Sequence, residues 1–411
     1  MTTTVGSAAA ETAAPPRRPA YREPGYLRYI GGQAVSTLGD QVWYVALSWS
    51  AVRLASPGLA GVILAVSSVP RLILLLFGGA IVDRYGPRRL MIGSDLVRAA
   101  VSLAAAAIAL ARPGIALLVV VALVFGIADA VFLPAAGALA PRLLRPDQLT
   151  GGAALNTLVA RIALTIGAPL GGLLVALGGL SLASAVNAAT FIVSVAALSG
   201  LRPRETAAAV REPIGRSLRD GLRYLGRHPL LRALLAVSLL ANLGFVGPMN
   251  VGLAVVADRH GWGAGGIGLM LAGFGLGAAA SALLMTRLTV RSGPMMAVCA
   301  AVQGAAVFAV VLAPVPAVAA AVTAVAGITS GPLAVLISSL SQRHTDDAYR
   351  GRVSSVQTLA NLGITPLAVA VMGAAVGWLG IVPAFGASAS LELAAAVICL
   401  AVPSLRTAAR H

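Results

Sequence analysis

The chain is cut into about twelve apolar runs, each near the roughly twenty residues that a helix needs to cross a bilayer. Inside hydrocarbon every backbone N–H and C=O must find a partner within the chain, so continuous runs of this length can only be helices. They fall near residues 27–53, 58–82, 89–111, 115–140, 151–176, 181–201, 230–257, 263–286, 294–313, 315–340, 352–378 and 381–405. With 58% hydrophobic and 11% charged residues and a mean hydropathy of +0.89, the chain cannot hide its apolar surface in a soluble core. The expectation is an all-α membrane protein with the lipid bilayer as its partner.

A net charge of +16 raises the question of nucleic acid, and the positions of the charges answer it. There is no lysine, so all 30 basic residues are arginine. Twenty-four of them lie in the N-terminal tail, the even-numbered loops and the C-terminal tail. The odd-numbered loops hold only Arg53, Arg112 and Arg259, while Arg71, Arg98 and Arg161 fall inside spans. That asymmetry follows the positive-inside rule and predicts that both termini are cytoplasmic. Basic residues that track a membrane topology do not form a nucleic-acid face, so no nucleic-acid partner is expected.

The one long polar interruption, Arg202 to Arg232, separates six spans from six. The sequence therefore divides into a disordered cytoplasmic tail at 1–25, without the apolar core of a cleavable signal, and a six-helix bundle at 26–201. A cytoplasmic central loop at 202–229, a second bundle at 230–405 and a cytoplasmic end at 406–411 complete it. In the central loop Ile214, Leu218, Leu222 and Leu225 recur at helical spacing opposite Arg216, Arg219, Arg223 and Arg227, the pattern of an amphipathic helix on the inner leaflet. The halves resemble each other. Gly61-x-x-Leu64-Ala65 and Arg84-x-Gly86-Pro87 recur as Gly268-x-x-Leu271-Ala272 and Arg291-x-Gly293-Pro294, with Val290 in the place of Asp83. Ala34-Val35-Ser36 recurs as Ala236-Val237-Ser238, and Thr157-Leu158 as Thr358-Leu359. Parallel repeats of this kind place a substrate path between the halves near the midplane.

Polar groups inside the spans mark that path. Gln33, Thr37, Asp40, Gln41, Tyr44 and Ser48 form a stripe at steps of three and four on the first span, so one face avoids lipid. The repeat sets Asn242 opposite Asp40, and the seventh span has its own stripe of Ser238, Asn242, Phe245 and Met249; Asn361, in the eleventh span, joins these as a cavity candidate. Arg71, Asp129 and Arg161 stand at a depth comparable with Asp40. Two acids and two arginines at one level can be a self-neutralising buried network. Alternatively, one acid takes up and releases a proton during a transport cycle; Asp40 is then the cycling group, because it has the polar stripe, and Asp129 its structural partner. Asp95 and Arg98 read as a local pair near the inner face. Glu392 reads as a buried carboxyl that stays neutral or bonds a neighbouring helix. No cofactor or metal is expected: Cys299 and Cys399 lie alone in different spans, and His228, His260, His344 and His411 lack ligand spacing.

Between the second and third spans lies Gly79-Ala80-Ile81-Val82-Asp83-Arg84-Tyr85-Gly86-Pro87-Arg88-Arg89. Its spacing, Gly-x-x-x-Asp-Arg-x-Gly-x-Arg-Arg, resembles the signature loop of the major facilitator superfamily at Gly79, Asp83, Arg84, Gly86, Arg88 and Arg89. A plain positive-inside loop explains the arginines but not Asp83 and the glycines. Gly167-Ala168-Pro169-Leu170-Gly171-Gly172 resembles the fifth-span signature of that family's drug–proton antiporter branch, with the proline displaced by one place; close helix packing also accounts for Gly167, Pro169, Gly171 and Gly172. Gly39-Asp40, Asp95-Leu96-Val97-Arg98 and Phe132-Leu133-Pro134-Ala135 resemble the macrolide-efflux and enterobactin-exporter type.

The resemblance covers about residues 26 to 405. It implies twelve transmembrane helices in two pseudo-symmetric six-helix bundles that rock about a central site, with the Gly79–Arg89 loop as a gate. It also implies efflux of a small amphiphilic drug or metabolite against inward proton flow across a bacterial inner membrane, by a monomer that is not an enzyme. Siderophore export or nutrient import are alternatives on the same fold. A non-transporting sensor or scaffold would call for an appended soluble domain or degraded cavity stripes.

Overall fold

The computed structural model describes residues 20–111, 114–204, 214–285, 292–347 and 349–407. Arg112, Val290, Arg291, His411 and most of the N-terminal tail lie outside the described residues, as do the side chains of Ile214, Arg216 and Leu218. Among those described the chain is almost wholly helical, with no strand. Ten stretches are long and apolar enough to cross a membrane. One of them holds two spans, because α6 (Leu149–Ser199) breaks at Gly178 and Gly179; Gly179 takes φ +62°, which a side chain would resist. The first span, α1 (Pro24–Leu54), is not among the ten because the polar stripe dilutes its hydropathy. The total among the described residues is twelve membrane helices.

The second span is α2 (Pro57–Val66) followed by α3 (Ser68–Tyr85), and α4 (Pro87–Ala111) and α5 (Ile115–Leu139) complete the first half with α6. An amphipathic helix, α7 (Ile214–Arg227), then docks on the eleventh span, with Leu225 buried, Leu222 exposed and Tyr224 stacked on Tyr349 at 4.4 Å. The seventh span runs through α8 (Pro229–Gly247), a single π turn (Pro248–Gly252) and α9 (Leu253–Arg259). The remaining spans are α10 (Gly263–Met285), α11 (Ser292–Val311), α12 (Pro316–Arg343), α13 (Arg350–Leu379) and α14 (Ile381–Ala401), and α15 (Pro403–Thr407) follows.

An even number of spans puts both ends of the described chain on one face, called the terminal face below. The halves meet on the opposite face. A single apolar core crosses between them there, joining Val42, Ile63 and Leu64 of the first half to Met249, Val255, Ile267 and Val369 of the second. Toward the terminal face the core splits into two separate clusters, around Tyr26, Met91, Phe132 and Leu198 in one half and Leu231, Met296, Leu336 and Val353 in the other. The protein is therefore sealed at one face and open at the other.

Glycine makes that seal. A Cβ on Gly61 would stand 3.0 Å from Gly373 Cα, and one on Gly268 would stand 2.9 Å from the Ala168 carbonyl oxygen. Gly61 and Gly268 are the repeat-related glycines, so the duplication supplies one close approach on each side of the axis. Gly172 packs on Ala264 and Gly265 in the same seam, while Gly167 and Gly171 pack α6 on Gln41 and Val42 of α1. Arg53 and Asp258 close the far end with an ion pair at 3.4 Å. Overpacking a fitted contact costs about 1–3 kcal/mol. Gly61→Val is therefore expected to tilt the equilibrium toward separation of the sealed face. Spin labels at the exposed Leu59 and Leu379 should report a longer distance; an unchanged distance distribution would mean that the seal absorbs the methyl groups.

Candidate functional site

Three adjoining cavities line the cleft. The first lies in the first half, has a volume of about 360 Å³ and is walled by Gln33, Thr37, Asp40, Gln41, Arg71, Arg98, Asp129 and four aromatic rings, Trp43, Tyr44, Phe125 and Phe132. The second, about 380 Å³, lies in the second half and is lined by Ser238, Asn242, Phe245, Gln303, Ser330, Gln357, Thr358 and Asn361. A third of about 230 Å³ lies between the halves, where Gln41, Tyr44 and Arg161 face Phe245, Met249 and Asn250. Asn250 and Met249 sit in the π turn, which breaks the regular ladder where the cavity needs side chains re-aimed.

The charges of the first half converge on Arg98. Its guanidinium is 1% exposed, held between the rings of Phe132 and Phe191, each 4.5 Å from Cζ. Nη2 donates to Asp95 Oδ1 at 2.5 Å; Nη1 donates to Asp129 Oδ1 at 3.0 Å and lies 3.6 Å from Asp40 Oδ1. Asp95 is fully buried and also accepts from Ser194 Oγ at 2.7 Å. Asp40 and Asp129 differ from it: their side chains are 38% and 30% exposed, open to the cavity. One arginine thus anchors three acids, of which two remain reachable.

This arrangement corrects the sequence reading in two places. Arg98 and Asp95 do pair, but as the buried hub of the cluster and not as a local pair near the inner face. Arg161, expected within the charge network, makes no ion pair among the described residues and instead lines the cavity between the halves. Arg71 reaches Asp129 only at 4.0 Å. Its depth was readable, since at about 1.5 Å per residue Arg98 stands roughly 17 Å along α4, level with the other charges, but its partners on α1 and α5 were not.

The second half answers with neutral groups. Ser238 Oγ donates to Asn361 Oδ1 at 3.0 Å, and Asn242 Nδ2 reaches the same oxygen at 3.3 Å. Gln303, Ser330, Gln357 and Thr358 share this wall. The sequence reading did not single out Gln303, although a lone amide in an otherwise apolar span was the clue. Tyr44 bridges the halves by donating to the Met249 carbonyl at 3.4 Å.

The loop between the second and third spans sits at the terminal face. Asp83 and Arg84 close the last turn of α3, and Gly86 caps it at φ +81° with its N–H on the Val82 carbonyl, a conformation that calls for glycine. Arg88 Nε donates to the Leu198 carbonyl at 2.9 Å, and the same guanidinium reaches the Ser199 carbonyl, so a cation satisfies the last turn of α6. Arg89, Asp83 and Arg84 are exposed, and Gly79 lies within α3.

The comparisons agree with this geometry. The multidrug efflux pump Tap of Mycolicibacterium fortuitum is 28% identical over 401 residues, covering 90% of this chain and 93% of that protein. The enterobactin exporter EntS of Escherichia coli is 26% identical over 306 residues, 73% of this chain and 72% of that one. The crystal structure of a mutant of the nucleoside transporter NupG superposes with a TM-score of 0.74 at 14% identity, over 92% of this chain and 99% of that one; this likeness concerns the fold alone. A profile of the Major Facilitator Superfamily matches residues 29–365. Twelve spans in two halves about a cleft, with the signature loop at its mouth, thus accompany a match over most of the chain: the protein is a multi-pass membrane transporter of the Major Facilitator Superfamily.

Proposed function

We propose that the chain exports a small amphiphilic compound, a drug or secondary metabolite, from a bacterial cytoplasm in exchange for inward protons. The observation that carries this reading is the cleft itself. It opens on the terminal face, with a carboxylate cluster and aromatic rings on one wall and neutral amides on the other. The aromatic rings suit an apolar body, the amides suit its polar groups, and Asp40 offers a carboxyl that water reaches from one side of the barrier. In this reading the terminal face is cytoplasmic, because it carries the arginine-rich loops. Rocking of the halves about the glycine seam then presents the same cavity to the other side. The efflux pump and exporter among the relatives support the outward direction. Drug-susceptibility profiling of a deletion strain and an overexpressing strain tests it: the deletion should sensitise and overexpression protect against a shared set of amphiphiles.

Siderophore export is the second reading, favoured by the resemblance to the enterobactin exporter. A secretion defect confined to iron-limited cells, with unchanged drug susceptibility, would select it.

The orientation has its own test. Cysteines placed at the exposed Arg89 and Asp347 should react only with reagent that reaches the cytoplasm, and one at Arg259 only from outside. The native Cys299 and Cys399 are buried and should stay silent. Inversion of two of the three positions would sink the assignment.

A further inference from the structure

One membrane-embedded carboxyl belongs neither to the cavities described nor to the cluster around Arg98. Glu392, on α14, is 0% exposed, and neither of its oxygens has a hydrogen-bond partner among the described residues. Glycine makes room for it on two sides. A Cβ on Gly244 of α8 would stand 3.1 Å from Glu392 Cγ, and one on Gly304 of α11 would stand 2.8 Å from its Cβ. Ser388, one turn away on α14, turns instead to Met372 on α13, its hydroxyl lying 3.7 Å from the thioether Sδ. The packed helices bring no counter-charge in ion-pair reach among the described residues. Arg232 of α8 and Arg350 and Arg352 of α13 stand toward the terminal face, and the spans α11 and α14 themselves carry the buried thiols of Cys299 and Cys399. A carboxylate ion so placed would have neither water nor a cation to offset its desolvation, and a folded chain avoids that cost by keeping the proton.

The same corner holds a second orphan. Gln303, the neighbour of Gly304, lines the amide cavity; it is buried, and its Oε1 has no donor among the described residues. Gln303 precedes Gly304, the glycine that packs on Glu392 Cβ, so an acceptor without a donor and a carboxyl without a partner lie on adjoining helices, and a proton is the species both lack. We infer that Glu392 is a proton-binding site of the second half, occupied while the cleft is open to the terminal face and exchanging with the amide cavity past Gln303. Asn242 leaves the second half without an acid opposite Asp40, and Glu392 supplies one behind the cavity wall. A part in coupling rests on the proton-driven reading above; the proton site itself does not.

The full chain, reconstituted in lipid and made with carbon-13 glutamate, gives the test. Glu11, Glu23, Glu205 and Glu212 lie outside the apolar runs, so Glu392 is the one glutamate within a span. Infrared spectroscopy at neutral pH should show an isotope-shifted C=O stretch of a protonated carboxyl, lost in Glu392→Gln and retained in Asp40→Asn. Isotope-shifted signal in the carboxylate region alone would overturn the proposal, and that result needs no variant to fold. With ethidium as the probe, Glu392→Gln should also lose efflux driven by a pH gradient across proteoliposomes. A wild-type chain indifferent to the gradient would sink proton-driven efflux while the infrared band upholds the site, and unchanged efflux in Glu392→Gln would overturn its part in coupling.

Discussion

Arg98→Leu is expected to abolish accumulation of folded protein. The guanidinium is buried against Asp95, which is itself fully buried, so removing it leaves a carboxylate that water does not reach. Breaking a buried pair in this way costs about 3–5 kcal/mol, a large share of the stability of an ordinary domain. Asp40 and Asp129 suffer less, because both open to the cavity and Asp129 retains Arg71 at 4.0 Å. Arg98→Lys should not rescue the protein: an ammonium lacks the planar fork that donates to Asp95 and Asp129 at once, and it stacks less well between Phe132 and Phe191. The informative variant is the double substitution Arg98→Leu with Asp95→Leu. Replacing a whole buried pair by apolar side chains is often neutral, so thermal unfolding in detergent should return most of the way to the wild-type midpoint. Transport should not return with it, since Asp40 and Asp129 have lost their common anchor. A single mutant with wild-type stability would show that the cluster is not held by Arg98.

The twelve spans were legible because the bilayer imposes both a length and an apolar composition, and even the polar first span declared itself by the period of Gln33, Thr37, Asp40, Gln41 and Tyr44. The repeat foretold more than symmetry: Gly61 and Gly268, aligned by sequence, each turn out to sit at a close approach between the halves at the sealed face. The cavity candidates Ser238, Asn242, Phe245, Met249 and Asn361 all line the cleft, because a polar or aromatic stripe on a membrane helix has only protein or water to face. What sequence could not supply was azimuth between helices. Depth put Arg161 level with Asp40, yet rotation about α6 aims it between the halves. Arg98 was hidden for a related reason, since an acid three residues away on the same helix already offered a sufficient partner, and nothing along the chain shows that α1 and α5 bring Asp40 and Asp129 to the same guanidinium. Gly244 and Gly304 could not be recognised as the room for Glu392 until three helices were seen to close on one side chain.

Asp40→Asn is expected to separate transport from its driving force without unfolding the protein. The side chain is 38% exposed to the cavity and lies 3.6 Å from Arg98, while Arg98 keeps its closer bonds to Asp95 and Asp129. Losing a pair this open to water should cost about 1 kcal/mol or less, so the variant should purify normally. Asparagine copies the shape of a protonated carboxyl but cannot release a proton. If Asp40 exchanges protons for substrate, the variant is held in the protonated form, and efflux driven by a pH gradient should vanish. Passive exchange of substrate across proteoliposomes should survive, because that half of the cycle needs the halves to rock but requires no change of charge at the site. Gradient-driven efflux, exchange and thermal stability measured on one preparation separate the possibilities. Poor folding would assign Asp40 to the support of Arg98, and a stable variant with unaltered gradient-driven efflux would exclude both roles. Suspicion would then pass to Asp129, the other acid that the cavity leaves open and that Arg98 holds in place.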